Sequence, residues 1–140
     1  WLWPNVDAGS DMISKKLRQW RENTEARVRF IKNLPVDDYN NLLALANCAI
    51  GNSSSFIREG SILATPAIIL GTRQNSREHA DNAVFFESSD YVKLINEVRA
   101  HSKRPIKCSS IYGAGDAGEK IKEILKREIP RIQKRLVFEK

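Results

Sequence analysis

Short apolar runs along the chain alternate with longer segments whose apolar residues recur at helical spacing. That is the pattern of an α/β fold in which strands of a parallel sheet alternate with helices. The candidate strands are residues 1–3, 28–31, 48–50, 67–70 and 84–86. Between the first two, residues 11–21 set Met12, Ile13, Leu17 and Trp20 on one stripe and predict a helix, with Ser10 as its N-cap. Residues 37–47 repeat the design, with Pro35 before them, Asp37 or Asp38 near the cap, and Leu42, Leu43, Leu45 and Ala46 for burial. Further helices are predicted over 56–60, 91–100 and 119–127. The last follows a glycine-rich stretch at 112–118, and Pro130 should bend or restart what comes after it. No internal repeat or low-complexity segment interrupts the series.

Length and composition narrow this picture. With 140 residues, 41% of them hydrophobic, the chain can bury one ordinary core, so a single domain over 1–140 is expected. Trp1-Leu2-Trp3-Pro4 carries neither an initiator Met nor a basic-then-apolar leader, and reads as the cut end of a longer polypeptide. The longest apolar stretch, 62–70, is broken by Thr65 and Pro66 and falls short of the roughly 20 residues of a membrane helix. A soluble protein with no membrane partner is therefore expected. Cys48 and Cys108 are far apart, and His79 and His101 have no second ligand nearby. Reduced thiols, a cytoplasmic location and no metal follow as expectations.

The net charge of +6 favours anionic partners without choosing among them. Much of the excess lies in 120–140, where Lys122, Lys126, Arg127, Arg131, Lys134 and Arg135 recur at helical spacing, as on a solvated helix face. A nucleic-acid footprint would interleave aromatics, and this tail has only Phe138, so no nucleic-acid partner is expected.

Three strand exits carry candidate chemistry. Cys48-Ala49-Ile50 runs into Gly51-Asn52-Ser53-Ser54-Ser55 and then into a helix. The first N–H groups of a helix have no intrahelical partners and its dipole is positive there, so an anion is welcome, and serine hydroxyls add donors without bulk. One of these serines as a simple N-cap is the competing account. Ile68-Ile69-Leu70 ends in Gly71-Thr72-Arg73-Gln74, at the carboxyl edge where open α/β sheets bind ligands. The planar fork of Arg73 matches phosphate oxygens, while an ordinary surface arginine, as for Arg77, is the alternative. The third exit, 3–10, presents Asn5 to a ligand, with Asp7 and Ser10 as helix caps. Lys32 and Asn33 leave the second strand in the same way and suit ordinary loop equally well. Glu59, within two turns of the serine turn, could accept from ribose hydroxyls or pair with Arg58 in solvent.

In this order the motifs resemble the hydrolysing UDP-N-acetylglucosamine 2-epimerases that feed sialic-acid synthesis. Its carriers are Pro4-Asn5-Val6-Asp7-Ala8-Gly9-Ser10, Gly51-Asn52-Ser53-Ser54-Ser55 with Arg58-Glu59, Thr65-Pro66, Gly71-Thr72-Arg73-Gln74, Asn82 before Val84, and Ile111-Tyr112-Gly113. The resemblance implies the C-terminal, Rossmann-like, UDP-binding half of a two-domain glycosyltransferase-B-like fold. It implies a UDP-sugar substrate, no further cofactor, an N-terminal domain outside this sequence and a homo-oligomer in the full-length protein. By the same resemblance Ser53 and Ser54 look like diphosphate donors, Glu59 the ribose acceptor, Arg73 a phosphate or sugar contact and Asn5 a contact near the sugar. Lys32 and Asn33 fall toward the uracil end.

The reaction implied removes the proton at sugar C2 and eliminates UDP in anti fashion to give a 2-acetamidoglucal. Water then adds to yield N-acetylmannosamine. Its acid and base carboxylates belong to the first half, so no catalytic residue is expected here, and stabilisation of departing UDP is the expected contribution. Phe56 departs from the glycine or small residue usual after the serines and bears on the sugar accepted. A first strand, central in such a sheet, would precede Trp1. The alternatives are a non-hydrolysing epimerase, which typically has acidic, glycine-rich motifs after the turn, and a non-catalytic nucleotide-binding module.

Overall fold

The computed structural model describes residues 1–4 and 9–127, and the chain divides into two compact units, Trp1–Leu45 and Ala46–Lys140.

In the first unit, helix α1 (Ser10–Asn23) carries the predicted stripe, but only Leu17 is buried, and Met12 and Ile13 are 68% and 54% exposed. With Trp1, Lys16 and Trp20 they line an open apolar depression of about 500 Å³. The Trp20 ring lies 5.9 Å from Trp1 and 5.8 Å, edge-on, from Phe30. Ser10 is not the N-cap: Gly9 holds that place in a left-handed conformation, φ 83°, which a glycine adopts without steric cost, and Ser10 is the first helical residue. The runs 1–3 and 28–31 meet in parallel, as expected of strands, yet only through the bridge Leu2↔Ile31. The Trp3 N–H donates to the Ile31 carbonyl at 2.8 Å and the Ile31 N–H to the Trp1 carbonyl at 2.9 Å.

Helix α2 (Val36–Leu45) starts one residue before the predicted span, with the Tyr39 N–H bonded to the Pro35 carbonyl. Asp37 and Asp38 thus lie in its first turn, where negative charge suits the dipole. Leu43 is buried, whereas Leu42 and Leu45 are exposed, so the apolar face is narrower than the sequence suggests.

The second unit holds the sheet. Strands β1 (Ala49–Gly51), β2 (Ala67–Leu70) and β3 (Ala83–Phe86) are all parallel, in the order β1-β2-β3, with helix α3 (Ser55–Ile62) connecting the first two. Ala67, Ile68 and Ile69 are fully buried. Because successive side chains point to opposite faces, their burial means that both faces of the central strand are covered, as parallel sheets require. Helices α3 and α4 (Tyr91–His101) both pack on β2. Asp90 caps α4, its side chain accepting from the N–H groups of Val92 and Lys93 at 3.0 and 3.1 Å.

Helix α5 (Ala117–Arg127) begins two residues before the predicted start. Lys120, Lys122 and Lys126 pair at 2.9 Å with Asp116, Glu119 and Glu123 across exposed turns, so the described part of the basic tail is a solvated face. Pro130, Arg131, Lys134, Arg135 and Phe138 lie outside the described residues. Among those described, no helix is long and apolar enough to cross a membrane.

Candidate functional site

The parallel register brings two of the predicted strand exits to one edge of the sheet. Gly51 pairs with Ile69, so the turn after β1 and the loop after β2 leave side by side. Gly51 has φ 150°, and a Cβ there would meet the Phe56 ring at 3.2 Å. The bulk of Phe56 is thus turned onto the backbone at the root of the serine turn, and glycine is what lets it sit there.

Ser54 occupies the N-cap of α3 without a side-chain capping bond. The local hydroxyl work falls to Ser53, whose Oγ lies 2.9 Å from the Ser55 Oγ and accepts the Ser55 N–H at 3.4 Å. The amides at the helix head are also partly engaged: the Phe56 N–H donates to the Ser53 carbonyl, and those of Ile57 and Arg58 to the Ser54 carbonyl. The sequence leaves these N–H groups to an anion, but the tight turn takes them itself.

Gln74 joins the two exits. Its Nε2 donates to the Asn52 carbonyl at 2.9 Å, across 22 residues, and the side chain is only 3% exposed. Its other amide atom, Oε1, is buried without a hydrogen-bond partner. Arg73, beside it, is exposed in the turn closed by the Asn75 N–H and the Thr72 carbonyl. Glu59 is half-buried on α3, and its Oε2 is buried and unpartnered.

Asn82 fastens the base of this region. Its Nδ2 donates to the carbonyls of Phe56 at 2.9 Å and Thr65 at 3.0 Å, so the first turn of α3 and the entry to β2 hang on one buried amide. Its backbone carbonyl accepts from the Ala67 N–H at 2.7 Å and lies 2.8 Å from Nε2 of His101, a fully buried ring. Gly60 leaves room for that amide, since a Cβ would approach Nδ2 to 3.0 Å.

Further along the edge, an open depression of about 700 Å³ is lined by residues 75–79 with Phe85 and Glu87. None of the predicted ligand residues lines it. The His79 ring lies 5.1 Å from that of Phe85 and tilted 56° to it, Asn75 donates to Glu87 at 2.8 Å, and the Tyr112 hydroxyl donates to the Glu78 carbonyl. Ser76 stands here at φ 67°, a left-handed conformation that costs a residue with a Cβ.

The remaining predicted residues belong to the first unit. Asn5 and Asp7 lie outside the described residues. Lys32 and Asn33 are exposed just after the Ile31 bridge, and the Asn33 Oδ1 accepts the Leu34 N–H at 2.9 Å. No group of three His, Cys, Asp or Glu among the described residues could hold a metal ion. Both cysteines are free, and burial pushes the Cys48 thiol up from its ordinary pKa, partly offset by a hydrogen bond to the Ile68 backbone. Such a thiol is a poor nucleophile.

Residue type alone does not mark Gln74 or Asn82 as functional positions. Their only signal is a polar side chain at the mouth of an apolar strand, inside motifs already quoted.

A family model described as UDP-N-acetylglucosamine 2-epimerase matches residues 1–126. The UDP-N,N'-diacetylbacillosamine 2-epimerase (hydrolyzing) of Legionella pneumophila is 32% identical over 125 residues, 89% of this chain and 33% of that protein. The GDP/UDP-N,N'-diacetylbacillosamine 2-epimerase (hydrolyzing) of Campylobacter jejuni is 31% identical over 86 residues, 61% of this chain and 22% of that one. The UDP-N-acetylglucosamine 2-epimerase of Neisseria meningitidis is 25% identical over 118 residues, 82% of this chain and 30% of that one. The matches thus span a third or less of the length of each relative.

Proposed function

This chain belongs to the UDP-N-acetylglucosamine 2-epimerase family, and from that premise we propose that it is the UDP-holding part of a hydrolysing enzyme, one that releases UDP and a free 2-epimerised amino sugar. The observation that carries this is the convergence of the Asn52–Ser54 turn and the Arg73 loop at the carboxyl edge of the sheet, tied by Gln74. Ligands of open α/β sheets bind at that edge. Ser53 and Ser54 donate to the diphosphate, a hydroxyl rotor being free to turn its proton from Ser55 to an arriving anion. Arg73 meets phosphate oxygens in two parallel bonds. Glu59 accepts from a ribose hydroxyl. The family resemblance assigns Asn5 to the sugar and Lys32 and Asn33 to the uracil.

These residues stabilise the charge on departing UDP, and the proton transfers at the sugar fall to groups outside this sequence. In this proposal residues 1–140 are one C-terminal domain of a longer, cytoplasmic, homo-oligomeric protein.

Calorimetry of the intact protein should give saturable UDP binding. Arg73→Ala should weaken it by about ten- to a hundredfold, the scale of a lost hydrogen bond to a charged group. Product analysis then separates outcomes: free N-acetylmannosamine with UDP supports hydrolysis, and a retained UDP-sugar overturns it.

The names of the Legionella and Campylobacter relatives favour a second substrate, a UDP-sugar with two acetamido groups. Assaying UDP-N-acetylglucosamine beside UDP-N,N'-diacetylbacillosamine decides between them. A preference of tenfold or more in kcat/KM, about 1.4 kcal/mol, identifies the true one.

A further inference from the structure

We propose that Gln74 is a positioning residue for the nucleotide, a strut that holds the serine turn at a fixed spacing from Arg73. The proposal rests on the UDP-holding function above and names how its two halves are kept in register. Asn52 is the covalent neighbour of Ser53, and Gln74 the neighbour of Arg73. One 2.9 Å hydrogen bond therefore couples the two anion-holding loops, beside the pairing of their strands in the sheet.

The way Gln74 is buried argues that this bond serves geometry rather than stability. Its side chain is 3% exposed, yet its Oε1 is buried with no partner, and a buried orphan acceptor offsets what a single good hydrogen bond contributes. At the other end Asn52 is exposed, so water can replace the donor if Gln74 loses it. An apolar side chain of similar length would therefore fill the same space at little cost to folding. A carboxamide at this position has to be explained by what it aims, and it aims at the backbone beside Ser53. Both exits are short turns on glycine, Gly51 at φ 150° and Gly71 at φ 73°, which do not by themselves fix the distance between them.

The test is Gln74→Met in the intact protein, read by UDP calorimetry and thermal unfolding together. UDP affinity should fall by roughly three- to tenfold, the scale of one lost hydrogen bond, while Tm stays within about 2 °C of the parent. A double-mutant cycle with Ser54→Ala adds a readout that a structural role would not move. If Gln74 acts through the turn, the two losses are less than additive, because once the strut is gone Ser54 is no longer well placed. Full affinity in Gln74→Met, or strictly additive losses, overturns the inference. Affinity that falls only in step with a Tm drop of many degrees also overturns it, since Gln74 would then be structural. Failure of the parent protein itself to bind UDP instead removes the functional proposal on which this one stands, so the two failures are distinguishable.

Discussion

In Ala46–Lys140 the apolar runs become a sheet with β2 between two partners, whereas in Trp1–Leu45 runs of the same character meet at a single bridge. Ile68 and Ile69 in the one are wholly buried; Met12, Ile13, Trp1 and Trp20 in the other are 40% or more exposed. The composition of the runs does not explain this, because 28–31 contains valine, phenylalanine and isoleucine. The neighbours do. A strand with a partner on each edge and a helix packed against it buries its side chains on both faces, while a lone pair of short strands is marginal in water. The difference teaches that strand propensity is a statement about the surroundings a residue suits, and only the second unit supplies them in full.

The largest expected effect breaks the comparison at its centre. Ile69→Ala should destabilise the protein by about 2–5 kcal/mol in denaturant unfolding, while Trp20→Ala, which removes exposed ring contacts, should cost about 1 kcal/mol. Equal losses would mean that the two units are cores of the same quality. Asn82→Ala comes next, at about 1–3 kcal/mol in thermal unfolding, because the buried carbonyls of Phe56 and Thr65 lose their donor. It should also loosen the serine turn through the first turn of α3, and an unchanged Tm would show that the latch carries no weight.

Smaller and of opposite sign, Ser76→Gly should stabilise by about 1 kcal/mol, since φ 67° costs a serine more than a glycine. A loss of Tm in that variant would show that the serine side chain contributes more than its backbone costs. The mildest probe changes no residue. Thiol labelling near pH 8 should modify exposed Cys108 well before half-buried Cys48, whose raised pKa leaves less thiolate at that pH than an ordinary cysteine has. Faster labelling of Cys48 would show that the sheet opens at β1.

Much of this was legible in the amino-acid order, because periodicity and turn chemistry act over a few residues. The apolar run 67–70 has the observed bounds of β2, glycine and serines mark the passage from β1 through the turn into α3, and the motif order is that of the family to which the chain belongs. Local misreadings have local reasons. Gly9 displaced Ser10 as cap because a left-handed residue satisfies that corner without a side chain, and Leu42 and Leu45 stayed outside because α2 buries a narrow face.

What the amino-acid sequence alone determined, then, was which segments coil, which extend and where small polar residues interrupt them. The tertiary structure decided which interruptions meet. The bond from Gln74 to Asn52 spans 22 residues, and the pull of Asn82 on Phe56 spans 26. Neither distance is set by any propensity along the chain. Both follow from the pairing of Gly51 with Ile69 and of Ala67 with Ala83, because a parallel register fixes which loops leave the same edge of the sheet.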